Sequence, residues 1–204
     1  ILLEHIFYYS SYKSHIWYKF QNPLHYSISK KTRANPQLVN FLNRKGKYKF
    51  WVCNATGGYW LRAFDKPQTS AYKIYNVEDS DILFAIVSVI NSNLFYIYWR
   101  SVSDCRNLTF NDLSEFKCDI ISLINNKKEI IEYSKNHIRS LESTKRYREG
   151  KMSYFEYVPS LAFNELIKID TVLAEHYGFT EEELDFIINY DIKYRMGKQN
   201  DEDE

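Results

Sequence analysis

Three cysteines, four prolines and six glycines among 204 residues are few, and each shortage excludes a class of site. Cys53, Cys105 and Cys118 are odd in number and form no CxxC pair, so neither a disulfide framework nor a zinc site is indicated. A reducing, cytoplasmic setting is expected. The one adjacent glycine pair, Gly57-Gly58, sits between two strand-like segments. A nucleotide or methyl-donor site needs such glycines at a strand-to-helix turn, where the backbone must approach a phosphate closely. No P-loop, GxSxG or HExxH occurs, and His5, His15, His25, His137 and His176 are scattered without ligand spacing. Glu181, Glu182 and Glu183 fall in the first turn of a helix, where carboxylates simply favour the dipole. No catalytic and no metal-ligating residue is expected in this chain. There is no cleavable signal pattern, and the longest apolar run, Ile82 to Trp99, is interrupted by Ser88, Asn91, Ser92 and Asn93. It reads as a buried helix and not as a membrane span.

Acid is the other scarcity. Residues 1 to 77 hold only Glu4 and Asp65 against twelve Lys/Arg, with seventeen aromatic side chains threaded through the same stretch. The whole-chain net charge of +1 hides this lobe, because residues 78 to 118 carry −3 and residues 119 to 204 carry −6. Such a one-sided field draws a polyanion to one lobe and keeps it off the other. A sheet lobe with solvated lysines has the same composition, so charge alone opens the question without closing it.

Short segments rich in β-branched and aromatic residues, Ile1 to Tyr12, His15 to Phe20, Tyr48 to Cys53, Gly58 to Phe64 and Ala71 to Tyr75, read as strands. They predict a twisted, mostly antiparallel sheet with a basic insertion near Lys30 to Lys49. From Asp79 a helical period begins, and a short helical segment runs from Asn111 to Phe116. Ile120, Ile124, Ile131, Ile138 and Leu141 then follow a 3.5-residue seam, with Lys127 and Ser134 as polar interruptions. That spacing predicts a continuous helix over 119–150, about 45 Å long, acting as a spacer or lying on its own domain. Beyond it, Ser153 to Val158 is extended, Leu161 to His176 is helical, and Thr180 with Glu183 opens a last helix through Tyr194. The expected class is α+β, organised as a lobe over 1–118, the spacer helix, a C-terminal helical region over 151–197 and an acidic tail over 198–204. The start at Ile1, already strand-like and without Met, points to a piece of a longer protein.

Three stretches carry a resemblance. Gly57-Gly58-Tyr59-Trp60-Leu61-Arg62-Ala63-Phe64 leads to Lys66-Pro67. Val89-Ile90-Asn91-Ser92-Asn93-Leu94-Phe95 runs through Trp99-Arg100 to Ser103-Asp104-Cys105-Arg106-Asn107-Leu108. Leu173 to Gly178 continues through Phe179-Thr180-Glu181-Glu182-Glu183-Leu184 to Gly197. Together they resemble the C-terminal, TaqI-like target-recognition region of adenine-specific DNA methyltransferases of type II restriction-modification systems, including fused restriction-methylation enzymes. The likeness spans most of residues 50 to 197. It implies that an upstream domain binds S-adenosylmethionine and methylates the N6 of adenine. The Asn-Pro-Pro-Tyr type motif of that domain has no counterpart here, since Asn22-Pro23-Leu24 and Asn35-Pro36-Gln37 do not fit. The chain itself is therefore expected to hold no cofactor and to transfer no methyl group. Double-stranded DNA and the parent's catalytic domain are the implied partners.

Base edges are read by planar donors and amides, and register is set on phosphates. Arg62 is a candidate for a guanine or a phosphate, Gln68 for an adenine edge, Lys66, Ser70 and Lys73 for phosphates, and Arg100, Ser103, Arg106 and Asn107 form a second cluster. Lys30, Lys31, Arg33 and Lys47, with Arg44, Lys45 and Lys49, suit nonspecific phosphate contact. Tyr59 and Trp60 suit stacking, although one of them belongs in the core. Two alternatives stay open at this level: Arg62 bridging to Asp65, and Asp104 holding Arg106. A third concerns the whole chain, a protein-interaction scaffold dimerising through the 120–141 seam.

Overall fold

The computed structural model describes residues 7–10, 17–53, 60–67, 72–149, 154–192 and 195. Strands β1 (Phe7–Ser10) and β2 (Trp17–Phe20) pair antiparallel, with Phe7 opposite Phe20. Asn22 then caps α1 (Pro23–Thr32), its Oδ1 accepting from the His25 N–H at 2.9 Å, while Pro23 fills a first-turn position that needs no donor. Lys30 and Lys31 lie in the last turn, where cations oppose the helix dipole. The basic stretch expected as an insertion in a sheet thus begins as a helix. Ile28 of α1 and Leu38 of the following 3-10 turn (Leu38–Phe41) anchor it in the core.

Strands β3 (Tyr48–Cys53), β4 (Ala63–Phe64) and β5 (Tyr72–Val77) form an antiparallel sheet in the order β4-β3-β5. Its entering turn passes so close to β5 that a Cβ at Gly46 would collide with the Val77 backbone. Phe50, Val52, Ala63 and Val77 point inward onto α2 (Ser80–Asn91), which Asp79 caps as expected.

The apolar run after Asp79 is two helices, not one. Helices α2 and α3 (Asn93–Val102) meet at a 60° bend on Ser92. Ser92 ends one and starts the other: its Oγ donates to Val89 O at 2.7 Å and accepts from Phe95 N–H at 3.0 Å. Two buried polar neighbours fix the corner. Asn91 accepts from the Arg62 and Ala63 amides at 2.9 and 2.8 Å and donates to Ala63 O at 2.8 Å, tying α2 to β4. Asp170, from the later helix α7 (Phe163–Tyr177), accepts from the amides of Asn93 and Leu94 at 3.1 and 3.3 Å, at the positive end of α3. Among the described residues no single helix is long and apolar enough to cross a membrane.

A short helix α4 (Phe110–Glu115) follows, capped reciprocally by Thr109 and Asp112. The continuous spacer expected over 119–150 is corrected to α5 (Ile120–Asn126), a break, α6 (Glu129–Ser143) and an extended segment. The break falls at Lys127, the polar residue that interrupts the seam. Burying its ammonium would be costly, and the kink instead carries it to an ion pair with Glu175 of α7. Nor does α6 stand free: Ser134 donates to Phe84 O at 2.7 Å, and Ile130, Ile131, Ile138 and Leu141 are buried.

Thr144 terminates α6, and its Oγ1 accepts from Val158 N–H at 3.0 Å. This clamps the base of a hairpin, β6 (Arg146–Arg148) with β7 (Tyr154–Glu156). A 3-10 turn (Pro159–Ala162) leads into α7, which Gly178 closes at φ +66, and the Thr180/Glu183 capping box opens α8 (Glu181–Asn189). The architecture is α+β: small antiparallel sheets around several helices. One hydrophobic cluster runs from Ile28 through α2, α3 and α6 to Tyr190, so the expected lobes share a core.

Candidate nucleic-acid interface

The strand period sorts the sheet into two faces. Opposite the core face, β3 presents Lys49 and Trp51, and β5 presents Ile74 and Asn76 across from them. Ile74 is 55% exposed, an unusual place for an isoleucine. Beside Trp51 in β4 lies Phe64, whose ring meets Tyr72 at 6.0 Å and Tyr157 at 5.1 Å. Tyr157 continues the surface onto the hairpin. Lys145 Nζ stands 4.4 Å over the Phe155 ring and 5.6 Å over Tyr157, and Phe155 meets Tyr147 directly across the strands at 5.6 Å. Tyr147 is 60% and Phe155 47% exposed. The hairpin's other face carries Arg146 and Arg148, the latter paired with Glu156 at 2.7 Å.

Phe64 itself is fully buried, so the exposed rings and cations form two patches, one on the outer sheet face and one on the hairpin, joined through Phe64's contacts with Tyr72 and Tyr157. Lys49, Lys66 and Lys73 are exposed on the same sheet or its flank, and Arg44, Lys45 and Lys47 are exposed in its entering turn. Exposed rings flanked by cations offer stacking surface beside charge, the combination that holds nucleic acid.

Not all of the sequence-derived candidates join this surface. Arg62 is corrected from a base reader to a core cation: it is 5% exposed, its guanidinium lying 4.8 Å from the Trp60 ring centroid and 5.9 Å from that of Trp99. Burial pulls its pKa downward, with Cys53 and Tyr72 acting in the opposite sense. Trp60 is a core residue, 4% exposed and donating from Nε1 to Ile90 O at 3.1 Å. Ser103 is also corrected. It is buried, its Oγ accepts from Cys105 N–H at 3.0 Å, and this holds Cys105 at φ 60, a left-handed turn that a side chain rarely adopts.

Arg100 faces Asp191, just past α8, at 3.4 Å, and Lys31 donates to Glu183 of α8 at 2.7 Å and to Gly178 O at 2.8 Å, so both serve packing between α3 or α1 and the C-terminal segment. Arg33 is half-buried with Nε on Ser29 O at 3.2 Å. Lys30, Arg106 and Asn107 are exposed. The Asp104 carboxylate takes the Arg106 backbone N–H at 2.9 Å. Tyr59, Gln68 and Ser70 lie outside the described residues. Lys47, Lys66 and Lys73 lie on this sheet or beside it, Lys30, Arg106 and Asn107 stay exposed candidates, and the hairpin is new. Its signal is readable: Lys145-Arg146-Tyr147-Arg148 and Tyr154-Phe155-Glu156 bring cations and rings together on either side of Gly150, but the helix expected over 119–150 takes in the first half.

Among the described residues no group of three His, Cys, Asp or Glu is placed to hold a metal ion. No family model matches the chain, and neither a curated protein nor a solved structure does.

Proposed function

We propose that this chain is a duplex-DNA recognition module, the target-recognition part of a type II restriction-modification N6-adenine DNA methyltransferase. Its S-adenosylmethionine site belongs, in this reading, to a catalytic domain of the same parent protein. The observation that carries the DNA-binding half is the pair of ring-and-cation patches, Lys49 and Ile74 beside Trp51 on the outer sheet face and Tyr147 and Phe155 with Lys145 on the hairpin. The methyltransferase half rests on the resemblance of residues 50 to 197. The seam of the scaffold reading, by contrast, is occupied within the monomer, since Ile120, Ile131, Ile138 and Leu141 are buried.

Titrating the 204-residue chain with a labelled duplex at several salt concentrations tests the proposal. Affinity is expected to fall linearly on a log-log plot, by roughly 0.9 decade per decade of salt for each phosphate neutralised. A Tyr147→Ala/Phe155→Ala chain is expected to lose about tenfold in affinity at unchanged salt slope, because rings contribute stacking and not counterion release. Absence of duplex binding at low salt overturns the reading.

A further inference from the structure

Beside the ring surface, Lys135 and Arg139 lie one turn apart on α6, on the side that also bears Ile138 and Glu142. They face Asp65 and Lys66, which follow β4, across a cleft of about 430 Å³ to which Phe84 contributes a ring wall. Lys135 Nζ stands 4.8 Å from the Phe84 ring centroid, and Arg139 is steadied by Nη1 donating to Asn136 Oδ1 at 3.0 Å. Two carboxylates line the same cleft, so their commitments decide its sign. Glu142 is engaged by donors at its rim, accepting from Tyr157 Oη at 3.1 Å and facing Lys145 Nζ at 3.4 Å. Asp65 keeps Oδ1 buried without a hydrogen-bond partner among the described residues. None of Lys66, Lys135 and Arg139 is ion-paired with a carboxylate among those residues.

We infer that this cleft is a phosphate-binding site, in which Lys66, Lys135 and Arg139 converge on the oxyanion. An arginine fork and two ammonium groups from separate elements surround a tetrahedral anion better than any single-element cluster does. Burial pushes the Asp65 carboxyl up, with the neighbouring Lys66 acting in the opposite sense. Through Glu142 and Tyr157 the cleft adjoins the ring surface, so a backbone phosphate seated here leaves the neighbouring nucleotides within reach of the hairpin. The inference rests on the nucleic-acid reading for the source of the phosphate. Its chemistry is shared by a free phosphate compound.

The test compares the full chain with a Lys135→Ala/Arg139→Ala chain, both exposed or half-exposed helix positions where alanine preserves the fold; a matching thermal melt checks this. Each is titrated with duplex DNA across salt and, separately, with inorganic pyrophosphate. The double variant is expected to reduce the magnitude of the duplex salt slope by about two and to abolish pyrophosphate binding. Lys66→Ala, on the opposite wall, is expected to lower the slope by about one more. If duplex binding persists with its slope unchanged in all variants, the cleft assignment is overturned while the DNA reading stands. Variant-sensitive binding of pyrophosphate by a chain that ignores duplex supports the cleft and sinks the DNA reading. Binding of neither ligand overturns both.

Discussion

The residues that organise this fold are polar and buried. Asn91, Ser92 and Asn93 sit at the corner between α2 and α3, and each is about 1% exposed or less. A purely apolar period over Ile82 to Trp99 treats them as interruptions of one helix, whereas their side chains define where it must turn. Asn91 matters most, because its amide closes three hydrogen bonds onto the backbone of Arg62 and Ala63. Asn91→Ala removes all three and leaves buried peptide groups beside a void. The expected cost is about 3 kcal/mol, read as a lowered urea midpoint. A loss under about 0.5 kcal/mol, the size of an ordinary surface substitution, would falsify this account of the corner.

At the scale of elements, the chain announces its capped helices and conceals its breaks. Asp79, Thr180 with Glu183, and Gly178 mark termini that the structure keeps, since caps are local chemistry. The break at Lys127 and the hairpin after Thr144 depend on partners distant in sequence, Glu175 and Val158, and no local period reveals those. The same blindness moved α1's cations into a binding patch. Lys31 reaches the nearly buried Glu183, which also accepts from Ser27 Oγ at 2.6 Å and Thr180 N–H at 2.7 Å, so α1 and α8 share one carboxylate. Lys31→Ala is therefore expected to lower stability by about 1–2 kcal/mol while leaving the salt slope of duplex binding unaltered. Lys47→Ala, at an exposed position, should do the reverse. Equal slope changes for both would return Lys31 to the interface.

For the whole molecule, one core joining residues 28 to 190 means that a perturbation in any layer is felt as global stability, and buried titratable groups supply such a perturbation without mutation. His25 and His137 are buried and pushed down to about 4 by desolvation. His25 stays neutral and accepts from Gln21 N–H at Nδ1, 3.4 Å away. Between about 4 and the ordinary histidine value of 6.5, the unfolded chain binds these protons and the folded chain does not. Their contribution is thus complete above pH 6.5 and disappears as the pH falls towards 4, at up to about 1.4 kcal/mol per pH unit for each histidine. Asp170 acts with the opposite sign. Burial drives its carboxyl up to about 7 against the pull of Arg195 and the α3 amides, so the folded chain holds that proton more tightly and stability falls as the pH rises towards 7. Two histidines outweigh one aspartate below pH 6.5, and the wild-type chain should lose stability with acidification there. Urea midpoints across this window, measured for His137→Leu and Asp170→Asn, separate the terms. The first is expected to flatten the acid limb and the second to steepen it, and a His137→Leu curve running parallel to wild type would show that the histidine keeps its proton inside the fold.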